Sequence, residues 1–159
     1  KISKFMTGIA LDLGAGIGDF LAFRPATVGV DIIPENVDYC KAQGLECYLM
    51  EIDVLPFQDN KFDSIIMDNT LEHILDPLPI LAEIDRVLKK DGVLVVGVPG
   101  IRGFTGDLDH KIYYSKEDLT STFVNRGYAV ESIFSMPFES AWLDAHLSQY
   151  CYYGVFRKG

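Results

Sequence analysis

The sequence predicts an α/β fold in which a mostly parallel, doubly wound sheet carries helices on both faces. Short apolar runs that end at glycine or at an acidic residue alternate with segments of helical character. The first of these runs leads directly into a glycine-rich turn. A length of 159 residues fits a single domain, so we expect residues 1–159 to form one folded unit.

The first half of the chain is predicted to alternate four strands with two helices. Each predicted strand is a short apolar run bounded by turn residues, which is typical of buried parallel strands. Pro25 ends the first helix, while Pro34 and Gly44 bound the second. The predicted strands are 9–13, 27–31, 46–50 and 62–68, and the helices are 19–23 and 34–43.

The second half begins with helical spacing of apolar residues over 78–88, a turn at 90–92 and a strongly apolar strand at 93–98. Residues 100–114 show no pattern and predict a mobile loop over one end of the sheet. Ser115 and Asp118 indicate the start of a helix that Gly127 ends. Strands are predicted at 128–136 and 150–157. Because so few residues separate them, one is expected to be antiparallel, although a short helix at 139–147 leaves this open.

Composition narrows the classes of function. Acidic side chains outnumber basic ones by 23 to 14, and this net charge of −9 disfavours general nucleic-acid binding. The longest apolar run is far shorter than the ~20 residues of a membrane span, and no signal peptide is visible. Three cysteines in no metal-binding motif favour a reducing compartment. We therefore expect a cytoplasmic protein without a membrane span, and its oligomeric state stays open.

Acidic residues follow the first four predicted strands, at the edge where an open α/β sheet binds its ligands. Asp12 and Asp31 end the first two strands, the third leads into Asp53, and the fourth ends in Asp68 and Asn69. Carboxylates in such positions are costly unless they meet a cation or a ligand with hydrogen-bond donors. Asp31 is placed to accept both hydroxyls of a ribose.

The turn after the first strand carries Gly14, Gly16 and Gly18, which allow a ligand to approach the backbone. In the dinucleotide pattern G-x-G-x-x-G the third glycine stands one position later, and here Asp19 would oppose a pyrophosphate. A ligand with a carboxylate and an amine suits this turn better than a dinucleotide does.

The sequence resembles the class I S-adenosylmethionine-dependent methyltransferases of the small-molecule type, which have a methyltransferase type 11 domain. The resemblance rests on segments 11–18, 28–31, 53–57, 62–73 and 88–98, which occur in the family's order and spacing. It implies a Rossmann-like doubly wound sheet of seven strands, mostly parallel with an antiparallel last strand. It also implies methyl transfer from S-adenosyl-L-methionine to a small-molecule acceptor, with S-adenosyl-L-homocysteine as product. Because only eight residues precede Ile9, we expect the family's N-terminal lid segment to be short or missing.

The resemblance implies roles for the residues at the strand ends. The backbone at Gly14 and Gly16 packs against the cofactor, Asp12 holds the methionyl amine, and Asp31 accepts from the ribose hydroxyls. Asp53 accepts from the adenine amino group between Ile52 and Val54, while Asp68 and Asn69 line the methionyl side. The full set expected to bind the cofactor is Asp12, Gly14, Ala15, Gly16, Gly18, Asp31, Ile32, Ile52, Asp53, Val54, Asp68 and Asn69.

Two histidines are candidate catalytic residues. His73 follows the fourth strand, and we hypothesise that it is the general base for O-methylation of a hydroxyl acceptor by in-line displacement. The alternative is that Glu72 and His73 only hold the adjacent turn. His110, in the patternless segment, is a second candidate for contact with the acceptor or else part of a surface turn. No close i, i+4 pair links these three residues, so no metal site is expected.

Four aromatic residues, Phe104, Tyr113, Tyr114 and Trp142, could form the wall of an apolar acceptor pocket, although packing in the core or at its rim is favoured for each of them. Two other functions also stay open. A nicotinamide (NAD(P))-dependent oxidoreductase is disfavoured by the glycine spacing and by the lack of a Tyr-x-x-x-Lys pair. The short N-terminus would also allow a non-catalytic, cofactor-binding partner subunit.

Overall fold

The computed structural model describes all 159 residues and is built around one seven-stranded sheet of order β3-β2-β1-β4-β5-β7-β6. Strand β7 runs antiparallel to β5 and β6, and the other pairs are parallel. The predicted mostly parallel sheet with an antiparallel last strand is therefore confirmed. The strands are β1 (Ala10–Leu13), β2 (Thr27–Asp31), β3 (Cys47–Leu49), β4 (Phe62–Asp68), β5 (Leu88–Pro99), β6 (Tyr128–Met136) and β7 (Cys151–Lys158).

Six α-helices connect the strands, and 3-10 turns at Ile2–Phe5 and Leu71–His73 supplement them. The predicted start of the fifth helix is confirmed, because Ser115 accepts a hydrogen bond from Asp118 N while Asp118 accepts one from Ser115 N. No helix combines the length and the apolar character that crossing a membrane requires. The helices are α1 (Asp19–Phe23), α2 (Pro34–Ala42), α3 (Leu78–Val87), α4 (Ile101–Gly106), α5 (Lys116–Val124) and α6 (Ala141–His146).

Both faces of the sheet are covered, as the apolar runs predict. Successive residues of a strand point to opposite faces, so Ile65 belongs to the larger core cluster and Ile66 to the smaller one. Helices α3 and α5 cover the larger cluster. The N-terminal turn helps to cover the smaller cluster with Ile2 and Met6, although no element was predicted there. All three cysteines are buried and free.

The segment 100–114 departs from the prediction of a patternless loop. Its first part forms α4, which begins where Asp144 accepts a hydrogen bond from Ile101 N at 2.9 Å. A side chain at Gly103 would lie 2.5 Å from the carbonyl oxygen of Ser148, so glycine permits the close approach of α4 to the end of α6. Tertiary contacts therefore form this helix, in spite of glycines that disfavour helix formation. Tyr114 lies buried in the core, which is the position favoured for it over the pocket wall.

Arg86 on α3 fixes the segment between β3 and β4. Its guanidinium donates to the carbonyl oxygens of Phe57 at 2.6 Å and Leu55 at 3.0 Å. It also pairs with Glu83, which in turn accepts from Leu55 N at 2.8 Å, and the hydrogen bond from Arg86 lowers the pKa of Glu83. Because Asp53 stands on the same segment, this network positions one of the predicted site residues.

We expect Arg86→Met to lower the free energy of unfolding by roughly 2–4 kcal/mol, because two carbonyl groups and the carboxylates of Glu83 and Asp59 lose a charged donor. Chemical denaturation measures the change. The control Lys41→Met, on the exposed side of α2, should alter stability by less than about 0.5 kcal/mol. Equal effects of the two substitutions would contradict the role assigned to Arg86.

Candidate functional site

A cleft of about 390 Å³ opens at the carboxyl ends of β1 and β2, where the sequence predicts the ligand. It also reaches the turn that follows β4 and the start of α3. Apolar residues supply about half of its lining, and carboxylates lie between them. Of the predicted site residues, the cleft is lined by Gly14, Asp31, Ile32, Ile52, Asp53 and His73.

The three glycines of the turn differ in what surrounds them. All have positive φ, but a side chain at Gly14 would lie 2.3 Å from the Thr70 hydroxyl. One at Gly18 would lie 2.8 Å from Cys40 Sγ, on α2. A side chain at Gly16 would meet no atom within 4 Å. Packing within the protein therefore explains Gly14 and Gly18, and Gly16 is the glycine that faces open space.

Asp31 connects the glycine turn to the end of β2. One carboxylate oxygen accepts from Gly16 N and the other from Ile33 N, each at 2.8 Å. The side chain is buried, yet it lines the cleft. Because a carboxylate oxygen has two acceptor positions, each oxygen keeps capacity for a ligand hydroxyl.

Asp12 carries a buried carboxyl group in a different situation. Asp12 is 5% exposed. Its carboxylate accepts no hydrogen bond from a backbone N–H, whereas the carboxylate of Asp31 accepts two. Burial raises its pKa to about 7, and the negative charges of Asp68 and Asp31 add to the rise. A cationic donor placed beside Asp12 would reverse this effect. The site therefore favours a ligand with a positively charged group.

The remaining predicted residues lie at or beyond the border of the cleft. Asp68 accepts a hydrogen bond from the Tyr153 hydroxyl at 2.9 Å, and burial raises its pKa. Asn69, next to it, is exposed with a left-handed backbone conformation. Eight of the predicted residues do not line the cleft: Asp12, Ala15, Gly16, Gly18, Val54, Asp68, Asn69 and His110.

Sequence reasoning missed several lining residues, of which Thr70 is the most informative. Its hydroxyl donates to the carbonyl oxygen of Leu13 at 3.2 Å and so joins the turn after β4 to the end of β1. Thr70 is a polar residue two positions after Asp68, the acidic end of β4, and this placement is a signal that could have identified it. Leu75 and Asp76, farther along the same segment, gave no such signal.

A second polar cluster, which we call the Glu72 cluster, consists of Glu72, His73 and His110. Glu72 is fully buried, and burial is the main cause that raises its pKa to about 7. Its Oε1 lies 3.9 Å from His73 Nε2 and 3.7 Å from His110 Nε2. Sequence spacing gave no sign that these residues meet. The absence of a metal and the general-base role of His73 stay predictions.

The chain is similar to known proteins both in sequence and in structure. Residues 11–96, more than half of the chain, match the family model described as "Methyltransferase domain". An uncharacterised protein of Methanocaldococcus jannaschii is 27% identical over 134 residues, which are 84% of this chain and 65% of that protein. The ubiquinone/menaquinone biosynthesis C-methyltransferase UbiE of Citrifermentans bemidjiense is 30% identical over 111 residues, 60% of this chain and 47% of UbiE. The chain thus covers less than two thirds of the length of either relative.

Solved structures share the fold at low sequence identity. A SAM-dependent methyltransferase of Methanosarcina mazei superposes with a TM-score of 0.76 at 17% identity, covering 99% of this chain and 96% of the other. A Thermotoga maritima protein described as a possible histamine N-methyltransferase gives 0.79 at 20% identity, covering 96% and 83%. With the family match over more than half of the chain, the protein belongs to the methyltransferase domain family, among the class I enzymes whose cofactor is S-adenosylmethionine.

Proposed function

We propose that this domain transfers a methyl group from S-adenosylmethionine to a small-molecule hydroxyl by in-line displacement. The observation that carries the proposal is the meeting of Asp12, Asp31 and Asp68 at one sheet edge, beside a glycine turn in which Gly16 faces open space. When bound, the cofactor supplies a methyl group on a positively charged sulfur, which is already activated for transfer.

The residues at the edge fit the chemical groups of this cofactor. Asp12 is a buried carboxylate without a donor, and the methionyl ammonium supplies one. Asp31 retains acceptor capacity for two ribose hydroxyls after its bonds to the backbone. Ile32 and Ile52 are 53% and 67% exposed at the cleft, where an adenine ring would cover them, and Asp53 adjoins as an acceptor.

The other predicted residues either shape the glycine turn or lie near the proposed position of the cofactor. Asp68 raises the pKa of Asp12 and stands with Asn69 on the methionyl side. Gly18 and Ala15 shape the turn, since Gly18 N donates to the carbonyl oxygen of Ala15 at 2.9 Å. Val54 is half-exposed beside the adenine end. Because the methyl group is activated, alignment is the main task of these residues, and alignment can supply about 7–11 kcal/mol.

The acceptor is proposed from the groups beside the cleft. A hydroxyl must lose its proton before or during methyl transfer. His73 lines the cleft, and the ring of His110 packs against the ring of His73, with the two ring centroids 4.7 Å apart. We assign His73 as the proton acceptor and His110 as the second candidate. Phe104 stacks on His110 and contacts Tyr113, and these aromatic rings offer an apolar wall for the acceptor.

The relatives do not fix the acceptor, since UbiE is named for C-methylation and a glycine/sarcosine/dimethylglycine N-methyltransferase also matches. The family assignment argues against the oxidoreductase alternative, and a non-catalytic partner subunit stays open to a turnover test. The single-domain organisation and the cytoplasmic location also remain proposals, and the buried free cysteines support the latter.

We expect Gly16→Ala to weaken binding of S-adenosylhomocysteine by about tenfold or more, because the new methyl group enters space that the ligand needs. Gly44→Ala is the matched control, since both glycines have positive φ and open surroundings. Each substitution should lower stability by about 1–2 kcal/mol, and only the first should change the dissociation constant in calorimetric titration. Equal dissociation constants for the two variants would remove Gly16 from the site.

We expect the affinity for S-adenosylhomocysteine to rise with pH up to about 7, because Asp12 must release a proton to pair with the ligand's ammonium. Without ligand the sign is opposite: the free energy of unfolding falls as pH rises from about 4 to 7, since ionisation of Asp12 is harder in the folded state. Asp12→Asn should flatten the binding profile and reduce the slope of the stability profile, relative to the wild type and to the exposed control Asp38→Asn. A slope of the same sign remains in the stability profile, because burial also raises the pKa values of Glu72 and Asp68. Unchanged profiles would show that another group controls them.

We expect O-methylated products when labelled S-adenosylmethionine is tested against matched phenols, amines and quinols. His73→Ala should lower kcat by about 10²–10⁴-fold if its ring accepts the proton, whereas the exposed His146→Ala should not. Methylated amines or carbons would contradict the hydroxyl acceptor and leave methyl transfer standing. Tight binding of S-adenosylhomocysteine without turnover on any acceptor would favour the non-catalytic subunit.

A further inference from the structure

Glu72 is a buried carboxylate without the donors that its burial requires. Glu72 as a whole residue is 0% exposed, and neither of its carboxylate oxygens, Oε1 and Oε2, has a hydrogen-bond partner. Folded proteins rarely leave a buried charge in this state, because the lost hydration is not replaced. The two side-chain nitrogens that come near, His73 Nε2 at 3.9 Å and His110 Nε2 at 3.7 Å, are too far away for hydrogen bonds.

The orientation of the His110 ring shows that it does not donate a hydrogen bond to Glu72. Its Nδ1 lies 3.0 Å from the carbonyl oxygen of Phe104, which can only accept, so Nδ1 carries the hydrogen. In the neutral ring, Nε2 then presents a lone pair towards Glu72. His73 also has Nε2 on the side of Glu72, and its Nδ1, which lies 3.4 Å from Asp109 Oδ2 and has no hydrogen-bond partner, is free to carry the ring hydrogen. Three electron-pair donors therefore converge on one space, and a cation is the partner they lack.

The outer contact of the His110 ring matches that of a metal-bound histidine. Such a histidine directs its second nitrogen to a carbonyl or carboxylate, which fixes the ring orientation. Here the carbonyl oxygen of Phe104 supplies that group for His110, while His73 has the Asp109 carboxylate 3.4 Å from Nδ1 without a hydrogen bond. The carbonyl oxygen of Glu72 accepts from Lys111 N at 2.8 Å and Ile112 N at 3.1 Å, and these bonds tie the segment carrying His110 to the turn. The three side chains are thus held together by the main chain.

We propose that Glu72, His73 and His110 bind one divalent transition-metal ion at the edge of the cleft. Their ligand atoms lie within 4.8 Å of one another, and ligand atoms around one tetrahedral zinc ion are about 3.4 Å apart. Small side-chain rotations close this difference. Two histidines and one carboxylate suit Zn²⁺ or Fe²⁺, whereas Mg²⁺ prefers oxygen ligands.

This site goes beyond the methyl transfer proposed above and changes the role of one residue within it. Three protein ligands leave at least one coordination position for water or for an acceptor oxygen. Because His73 also lines the cleft, the ion would stand next to the place where an acceptor enters. With its ring nitrogen on the metal, His73 would be a ligand and not the base, and an acceptor hydroxyl bound to the ion would release its proton to solvent water more readily.

The test begins with the full chain, stripped of metal by a chelator and titrated with ZnCl₂ alone, without cofactor. We expect saturable binding of one Zn²⁺ per chain and a higher melting temperature in its presence. Co²⁺ gives a second readout, because its visible spectrum reports the coordination geometry. Mg²⁺ at the same concentrations should produce no shift in the melting temperature.

Three variants and a control locate the site. Glu72→Gln, His73→Ala and His110→Ala should each weaken Zn²⁺ binding by more than the roughly 10–100-fold that outer contacts contribute. The control His146→Ala removes the one other histidine, which is exposed on α6, and should bind Zn²⁺ like the wild type. Circular dichroism of the metal-free proteins establishes that each is folded. Glu72→Gln keeps the shape of the side chain and serves if an alanine variant unfolds.

The proposal is overturned if the stripped wild type shows no saturable Zn²⁺ binding, or if all three variants retain it, as they would with the metal on cysteines. Titration of the same preparations with S-adenosylhomocysteine separates this result from the fate of the methyltransferase proposal. Zn²⁺ binding without cofactor binding would keep the metal site and contradict methyl transfer. If His73→Ala binds Zn²⁺ normally but loses turnover, His73 is the base and the metal site is wrong.

Discussion

The burial of negative charge at the carboxyl ends of β1, β2 and β4 is the constraint on which the site depends. Asp31 is satisfied by the backbone N–H groups of Gly16 and Ile33, and these bonds fix the glycine turn and the entry to α2. Asp12 has no such partner, so its pKa rises to about 7. The ligand-free domain thus carries an electrostatic cost that a cationic, hydroxyl-bearing ligand removes, and part of the binding energy arises there.

Local signals sufficed to predict much of the fold. Strand β4 and helix α1 begin and end where predicted, because glycine, proline or acidic residues interrupt short apolar runs at those points. Two elements had no such signal. Helix α4 contains Gly103, and its stability comes from contact with the Ser148 backbone, while the N-terminal turn forms because Ile2 and Met6 pack on the sheet. Both depend on contacts between residues far apart in sequence.

In the candidate site, too, some features could be predicted from local signals, and others depend on contacts between residues far apart in sequence. Strand topology determines where Asp31 and Asp53 lie, so their positions could be predicted once parallel strands were recognised. Which glycine of the turn faces open space could not be predicted, because this depends on Thr70 and Cys40, which occupy the space beside Gly14 and Gly18. No periodicity connects Glu72 with His110 either. Main-chain hydrogen bonds between Glu72 and the segment after His110 bring them together, and sequence spacing carries no information on such bonds.

The turn after β4 connects the two polar clusters of the molecule. Thr70 packs against Gly14 and bonds to the end of β1, and its carbonyl oxygen accepts from His73 N at 3.2 Å. One short stretch of backbone therefore holds both a wall of the cleft and two residues of the Glu72 cluster. An ion that orders Glu72 and His73 also orders Thr70, and a cofactor that presses on the Gly14 wall acts on the same turn. Because coupling between sites is reciprocal, each ligand would then change the affinity of the domain for the other.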